Sequence, residues 1–360
     1  MKIMHVSDLH IGCRMYGIEQ RECDFYNALN EIKKIAIGQK VDVVLIAGDL
    51  FDSSKPSARA VYEVSKFVRD LTEHKIKTIG IEGNHDLTKD SYWLRTCGIE
   101  PIGLTPYLLD STSSIEGFNY CDSDTLITKL EDLVSDYEEK GICAPVVTLH
   151  CGFQEMGAGF NPDLSVQQVV GLLKRIGCKY VAIGHIHIPI EQQHDGIWFV
   201  QPGSLEMKSI DEPHDKLVEI VELDQNKGYE VVSLEQIHYK TRTIVFFNIE
   251  KEEDINEDLH SKVKSNLDSL CVFYIQNAIK DGVSRVTNIA KDYHVMFRVI
   301  PVGGDVQETS AYDRKNSMNL LKDAVETFFD EESDQFKLVM EILTTGNPRI
   351  VIENYLNENN

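Results

Sequence analysis

Gly83-Asn84-His85-Asp86 follows an apolar run, Thr78-Ile79-Gly80-Ile81-Glu82, that reads as a buried strand. Gly83 lets the backbone turn sharply off the strand end. The next three side chains then bring an amide oxygen, an imidazole and a carboxylate into one small space. An amide oxygen ligates hard or borderline metals, and an imidazole can donate a proton. Taken alone, the tetrapeptide reads equally well as a polar turn, so its meaning depends on what the neighbouring strands deliver.

On the N-terminal side, residues 41–47 form a continuous apolar run, as expected of a parallel strand covered on both faces, and end in Gly48-Asp49-Leu50-Phe51-Asp52. Residues 1–7 alternate as a strand and end in Asp8-Leu9-His10. Residues two apart on a strand share a face, so this carboxylate and imidazole can grip one ion. Helical spacing marks residues 22–37 and 57–71. Three strand–site–helix units in succession predict right-handed α/β layering with polar residues at the carboxyl ends of the strands.

On the C-terminal side, residues 144–149 read as a strand ending in His150, and 165–176 as a helix. Residues 180–183 form a strand ending in Gly184-His185-Ile186-His187, and a strand over 197–200 precedes the tight turn Pro202-Gly203-Ser204. Residues 110–140 are acidic and read as an irregular, peripheral insertion. His5 reads as a core histidine; His194, His214 and His238 lack ligand spacing and read as surface residues. Composition shifts near Glu235, after which a β-rich run (241–249), a helix (257–269) and a strand (293–300) suggest a small α+β domain without candidate ligands. Helical segments follow from Asp313. The expected domains are 1–235, 236–305 and 306–360.

With 360 residues, 42% apolar and 26% charged, the chain has the composition of an ordinary globular protein of two domains. No run is long and apolar enough to cross a membrane, and the first strand leads straight into site residues, so no signal peptide is expected. Eight scattered cysteines without a Cys-x-x-Cys pair suggest reduced thiols and a cytoplasmic protein. The net charge of −22 argues against a polyanionic partner. Its distribution softens that argument: acid and base balance from Met1 to Arg95, and bound divalent cations would reverse the local sign around Asp8 and Asp49.

Together, Asp8, His10, Asp49, Asn84, His85, His150, His185 and His187 form a set of mixed carboxylate, amide and imidazole donors, each just past a predicted strand. The set is too large for one tetrahedral zinc and suits two ions of higher coordination number sharing a carboxylate. A metal pair of that kind is the usual device for in-line displacement at phosphorus. The order D-x-H, G-D-x-x-D, G-N-H-D, H and G-H-x-H resembles the signature of the calcineurin-like metallophosphoesterases. Within that superfamily, 48–56 (GDLFDSSKP), 81–86 (IEGNHD) and 16–26 (YGIEQRECDFY) resemble the SbcD-type nucleases of DNA double-strand-break repair. The resemblance spans roughly the first 235 residues and extends more loosely to the small domain, which Thr241-Arg242-Thr243 opens.

The resemblance implies a layered α-β-β-α sandwich followed by a capping domain that contacts DNA, and a short helical tail that docks a partner. It implies a first metal on Asp8, His10 and His187, a second on Asn84, His150 and His185, and Asp49 bridging both. His85 would be the acid that protonates the departing 3′ oxygen. Asp52, where some members carry His, would hydrogen-bond His85 and orient it. The resemblance further implies manganese, a homodimer, an SMC-like ABC ATPase partner, and nucleolytic action on duplex ends and single strands in a nucleoid-associated protein. The acidic charge and Asp52 favour a rival, a phosphomonoesterase or cyclic-nucleotide phosphodiesterase on the same scaffold. A non-catalytic scaffold ranks last, because no ligand is missing.

Overall fold

The apolar run around residues 43–47 becomes a central strand buried on both faces, and the fold is layered on either side of it. The structure, a computed structural model, describes residues 1–157, 163–210 and 212–302. The helical tail expected over 306–360 lies outside the described residues.

The chain runs through β1 (Lys2–Val6), α1 (Glu19–Gln39), β2 (Val43–Ala47), α2 (Ala58–Glu73), β3 (Lys77–Ile81), α3 (Tyr92–Cys97) and β4 (Glu100–Pro101). It continues through β5 (Tyr107–Leu108), β6 (Ser113–Gly117), α4 (Ser123–Lys140), β7 (Cys143–His150), α5 (Val166–Arg175), β8 (Tyr180–Gly184), β9 (Ile190–His194) and β10 (Ile197–Gln201). Two long strands, β11 (Lys216–Asp224) and β12 (Glu230–Tyr239), return to the first sheet, whose order is β12-β11-β1-β2-β3-β4. The second sheet has the order β5-β6-β7-β8-β10-β9.

Alternation along β2 shows how the layers form. Val44 and Ile46 join Phe25, Leu29 and Ile32 of α1 and Val64 and Phe67 of α2 in the core outside the first sheet. Val43 and Leu45 instead meet Ile115, Val146, Tyr180 and Val200 in the core between the sheets. A third core joins the second sheet to α4 and α5. The architecture is therefore the expected α-β-β-α sandwich. His5 lies in its middle, with Nδ1 2.9 Å from the Tyr180 hydroxyl, and burial lowers its pKa to about 3.

Residues 110–140 are not an irregular insertion; they supply β6 and α4. Leu126, Leu130, Val134 and Tyr137 recur at helical spacing on the buried face of α4. Asp122 caps its start by accepting the Thr125 N–H at 2.9 Å, and Gly141, left-handed at φ 65°, ends it. The sequence hides β6 because its segment, SSIEG, is polar yet buried: the hydroxyls of Ser114 and Tyr137 both engage the Glu116 carboxyl. The composition shift near Glu235 falls inside β12, which stays paired with β11 to Tyr239, so the structural break lies at 240–243.

Beyond it come β13 (Ile244–Ile249), α6 (Glu257–Lys264), β14 (Leu270–Gln276), α7 (Gly282–Asp292) and β15 (Met296–Val302). All three strands are parallel and alternate with the helices, so this small unit is a βαβαβ layer rather than a segregated α+β one.

Glu219 of β11 is fully buried and meets Glu191 and Gln236, and burial followed by the Glu191 charge raises its carboxyl to about 8. The native state therefore holds a proton that the unfolded chain releases near pH 4.5. Stability from this group is complete below that value and is lost as pH rises to about 8. Glu219→Gln is expected to raise the melting temperature by a few degrees at pH 8 and leave it unchanged at pH 4, measured by calorimetry. An equal change at both pH values would exclude the carboxyl as the cause.

Candidate metal centre

The sequence-predicted donors all reach one end of the sandwich. Asp8 and His10 follow β1, Asp49 follows β2, and Asn84 and His85 follow β3, all in the first sheet. His150 ends β7, and His185 and His187 follow β8, in the second. To leave the strands and turn inward, Asp8, His10 and Asp49 adopt left-handed φ values of 50°, 42° and 50°. Such non-glycine conformations cost free energy that the surrounding structure must offset. Two glycines make room. A Cβ on Gly48 would lie 2.2 Å from His150 Nδ1, and one on Gly83 would lie 2.1 Å from Asp49 Oδ1.

Hydrogen bonds fix which ring nitrogen faces the centre. His150 donates its Nδ1–H to the Ala47 carbonyl at 2.8 Å, so Nε2 carries the lone pair of the neutral ring and lies 3.1 Å from Asn84 Oδ1. His187 donates Nδ1–H to Glu212 Oε1 at 2.8 Å, which turns its Nε2 to within 3.1 Å of His10 Nε2. His185 presents Nδ1, also 3.1 Å from Asn84 Oδ1. Asp49 stands between the two groups: Oδ2 is 3.6 Å from His10 Nε2 and 3.4 Å from His150 Nε2, while Oδ1 accepts the His85 N–H at 2.9 Å. Asp8 accepts the His185 N–H. Asp8, His10 and His187, and likewise Asp8, Asp49 and His150, place donor atoms within 4.8 Å of one another.

This donor set fits divalent cations. Two neutral imidazoles with facing nitrogens gain nothing from approaching to 3.1 Å unless a proton or a cation lies between them. Burial opposes a charge on His150, yet its hydrogen bond to Asp49 and the charges of Asp8 and Asp49 raise its pKa to about 9. Burial likewise opposes ionisation of Asp49, whose contacts with His150 and His10 hold it well below the usual carboxylate range. The field that recruits a proton to this space recruits a cation as well. Asp8, His10, Asp49 and His150 are buried, whereas Asn84 is exposed and His85, His185 and His187 are half-buried, so one rim is open.

Asp52 is placed differently from the expectation. His85 does bond to residue 52, but Nδ1–H goes to the backbone carbonyl at 3.0 Å. The Asp52 carboxylate turns the other way, to Lys208 Nζ at 3.0 Å and His10 Nδ1 at 3.5 Å. The ammonium and the imidazole are thus its charged partners, while one of its oxygens stays within 4.8 Å of a His85 ring nitrogen without a hydrogen bond to it. Asp86, the carboxylate that ends the Gly83-Asn84-His85-Asp86 turn, faces inward and accepts the N–H groups of Phe51 and Gly83 at 3.0 Å each, locking the loops after β2 and β3 together. Asp86→Ala would leave both donors buried without a partner. It is expected to cost about 2 kcal/mol in denaturant unfolding, and an unchanged midpoint would show that the loops do not depend on this clasp.

Two residues that motif spacing does not reveal complete the surroundings. Lys208 and Glu212 follow the Pro202-Gly203-Ser204 turn, which folds them back on His10 and His187. Glu212 is in turn held by the Ser204 hydroxyl at 2.8 Å and Lys216 at 3.0 Å. No sequence interval links residue 212 to residue 187; the turn does.

The chain is 27% identical over 329 residues to the DNA double-strand break repair protein Mre11 of Archaeoglobus fulgidus, covering 81% of this chain and 71% of that one. It is 25% identical over 281 residues to the protein of the same name from Sulfolobus acidocaldarius, covering 74% and 72%. With that from Thermoplasma acidophilum it shares 29% over 293 residues, covering 75% and 72%. The sequence model described as calcineurin-like phosphoesterase matches residues 1–189, the span that carries every predicted donor. The chain belongs to the calcineurin-like phosphoesterase family of metal-dependent enzymes.

Proposed function

We propose that this protein is a manganese-dependent DNA nuclease of double-strand-break repair, acting as an exonuclease on duplex ends and an endonuclease on single strands. The observation that carries the reading is the convergence on Asp49 of two donor groups, one from Asp8, His10 and His187 and one from Asn84, His150 and His185. In this reading each group holds one cation and Asp49 bridges them. Bound there, the two cations would supply Lewis acidity toward the phosphate and activation of the attacking water.

The remaining work belongs to side chains of the chain itself. His85 donates Nδ1–H to a carbonyl that can only accept, so it gives a proton to the departing oxygen from Nε2 in the doubly protonated, imidazolium form. Glu212 keeps the His187 proton on Nδ1 and so keeps Nε2 turned inward. The exposed Asn84 marks the rim at which a phosphodiester strand arrives. The names of the relatives support DNA as the polymer. We extend the reading to a homodimer in the nucleoid, a cap formed by the small unit after Thr241, and an SMC-like ABC ATPase docked on residues 306–360. Among the described residues no helix is long and apolar enough to cross a membrane.

The test compares Mn²⁺-dependent shortening of end-labelled linear DNA with hydrolysis of small phosphate monoesters, using EDTA as control. Shortening that EDTA abolishes supports the nuclease. Turnover of monoesters with intact DNA would place the enzyme among the phosphomonoesterases.

A further inference from the structure

A chain of charges, buried at its middle and half-buried at its ends, runs from the small unit to the candidate metal centre. Arg242, between β12 and β13, makes a two-point pair with Asp24 of α1, Nε to Oδ2 at 2.7 Å and Nη2 to Oδ1 at 2.5 Å. Asp24 also accepts from Arg21 Nη1 at 2.5 Å, and the Arg21 side chain is wholly buried. The other end of that guanidinium donates to Glu206 Oε1 at 3.3 Å and to the Met207 carbonyl at 3.2 Å. Two guanidinium groups and two carboxylates thus balance in charge and grip residues 206–207 from behind. Met207 is itself buried in an apolar cluster with Met15, Ile244, Leu270 and Val272, so the small unit's sheet presses on the same segment.

The next residue is Lys208, beside Asp52 and His10. If His10 gives Nε2 to a metal, its Nδ1 must carry the proton, and the acceptor within reach is Asp52 Oδ1 at 3.5 Å. A protonated Nδ1 has no lone pair for Lys208, so the ammonium serves the Asp52 carboxylate and holds it in place. Asp52 therefore belongs to His10 rather than to His85.

We propose that Arg242 is a positioning residue for the metal centre: docked on Asp24, it fixes through Arg21 and the Glu206-Met207 segment the Lys208–Asp52 pair that orients His10. The proposal rests on the reading of His10 as a metal ligand. A side chain that merely glued the two units together would alter stability and leave both cation affinities alone.

The experiment measures Mn²⁺ binding to the full chain by titration calorimetry, for the wild type and for His10→Ala, Arg242→Ala, Arg242→Lys and Lys208→Met. Arg242→Ala is expected to weaken one of the two sites about 10-fold or more and to leave the other unchanged. Lys208→Met should weaken the same site, and the variant carrying both Arg242→Ala and Lys208→Met should bind no more weakly than the worse single one, since both act through one chain of contacts. Unchanged affinities in Arg242→Ala, or losses that simply add, overturn the proposal. If Arg242→Ala does not fold, Arg242→Lys decides: it keeps the charge but not the two-point grip, and an unaltered affinity in it is equally fatal. Retention of both ions by His10→Ala would instead overturn the ligand reading beneath it.

Discussion

Replacing Asp49 by Ala is expected to remove the metal centre and to lower turnover by at least about three orders of magnitude. No other carboxylate lies within 4 Å of both an imidazole from the first sheet and one from the second, as Asp49 does with His10 and His150 among the described residues. Its second oxygen holds the His85 backbone, so its loss also releases the loop that carries the acid. Metal content after dialysis against Mn²⁺, measured with turnover of an activated phosphodiester, checks the prediction. A variant that kept two equivalents of metal and most of its rate would remove Asp49 from the bridging position.

The second large effect is expected at His85. His85→Ala should lower turnover by about 10² to 10⁴ while leaving Mn²⁺ stoichiometry intact, because the role proposed for the ring is to protonate the leaving group and not to hold the cations. The same geometry separates His85 from Asp52. Asp52→Asn leaves the backbone carbonyl in place, so the hydrogen bond that holds His85 Nδ1 should survive it. Loss of bound metal in His85→Ala would make the ring a ligand and not an acid.

Much of this could be read from the sequence because its signals are local. A buried parallel strand writes itself as a continuous apolar run, as in residues 43–47, and the polar residues beyond its end announce where the chain turns. That is why each candidate donor can be named from the sequence before its neighbours in space are known. Where burial and polarity disagree, the signal fails. Strand β6 is SSIEG because Tyr137, more than twenty positions away, satisfies its glutamate. Strand β14, all but continuous in apolar character, sits between segments that compete with it for the reader's strand assignment, and only its pairing with both β13 and β15 makes it central. Asp52 fails for another reason. Spacing places residue 52 beside His85 but cannot say which of its oxygens faces the ring, and Lys208, which decides the matter, lies more than 150 positions further on.

The donors are divided between two sheets, and the chain makes those sheets in order. Asp8, His10, Asp49, Asn84 and His85 belong to the first ninety residues, whereas His150, His185 and His187 come after the helices that cover the second sheet have begun. During synthesis, a chain that has emerged only as far as α3 carries Asp8, Asp49, His10 and His85 but lacks three of the five imidazoles. A chain of that length therefore holds an incomplete donor set, and the candidate centre is complete only once the second sheet has joined the first.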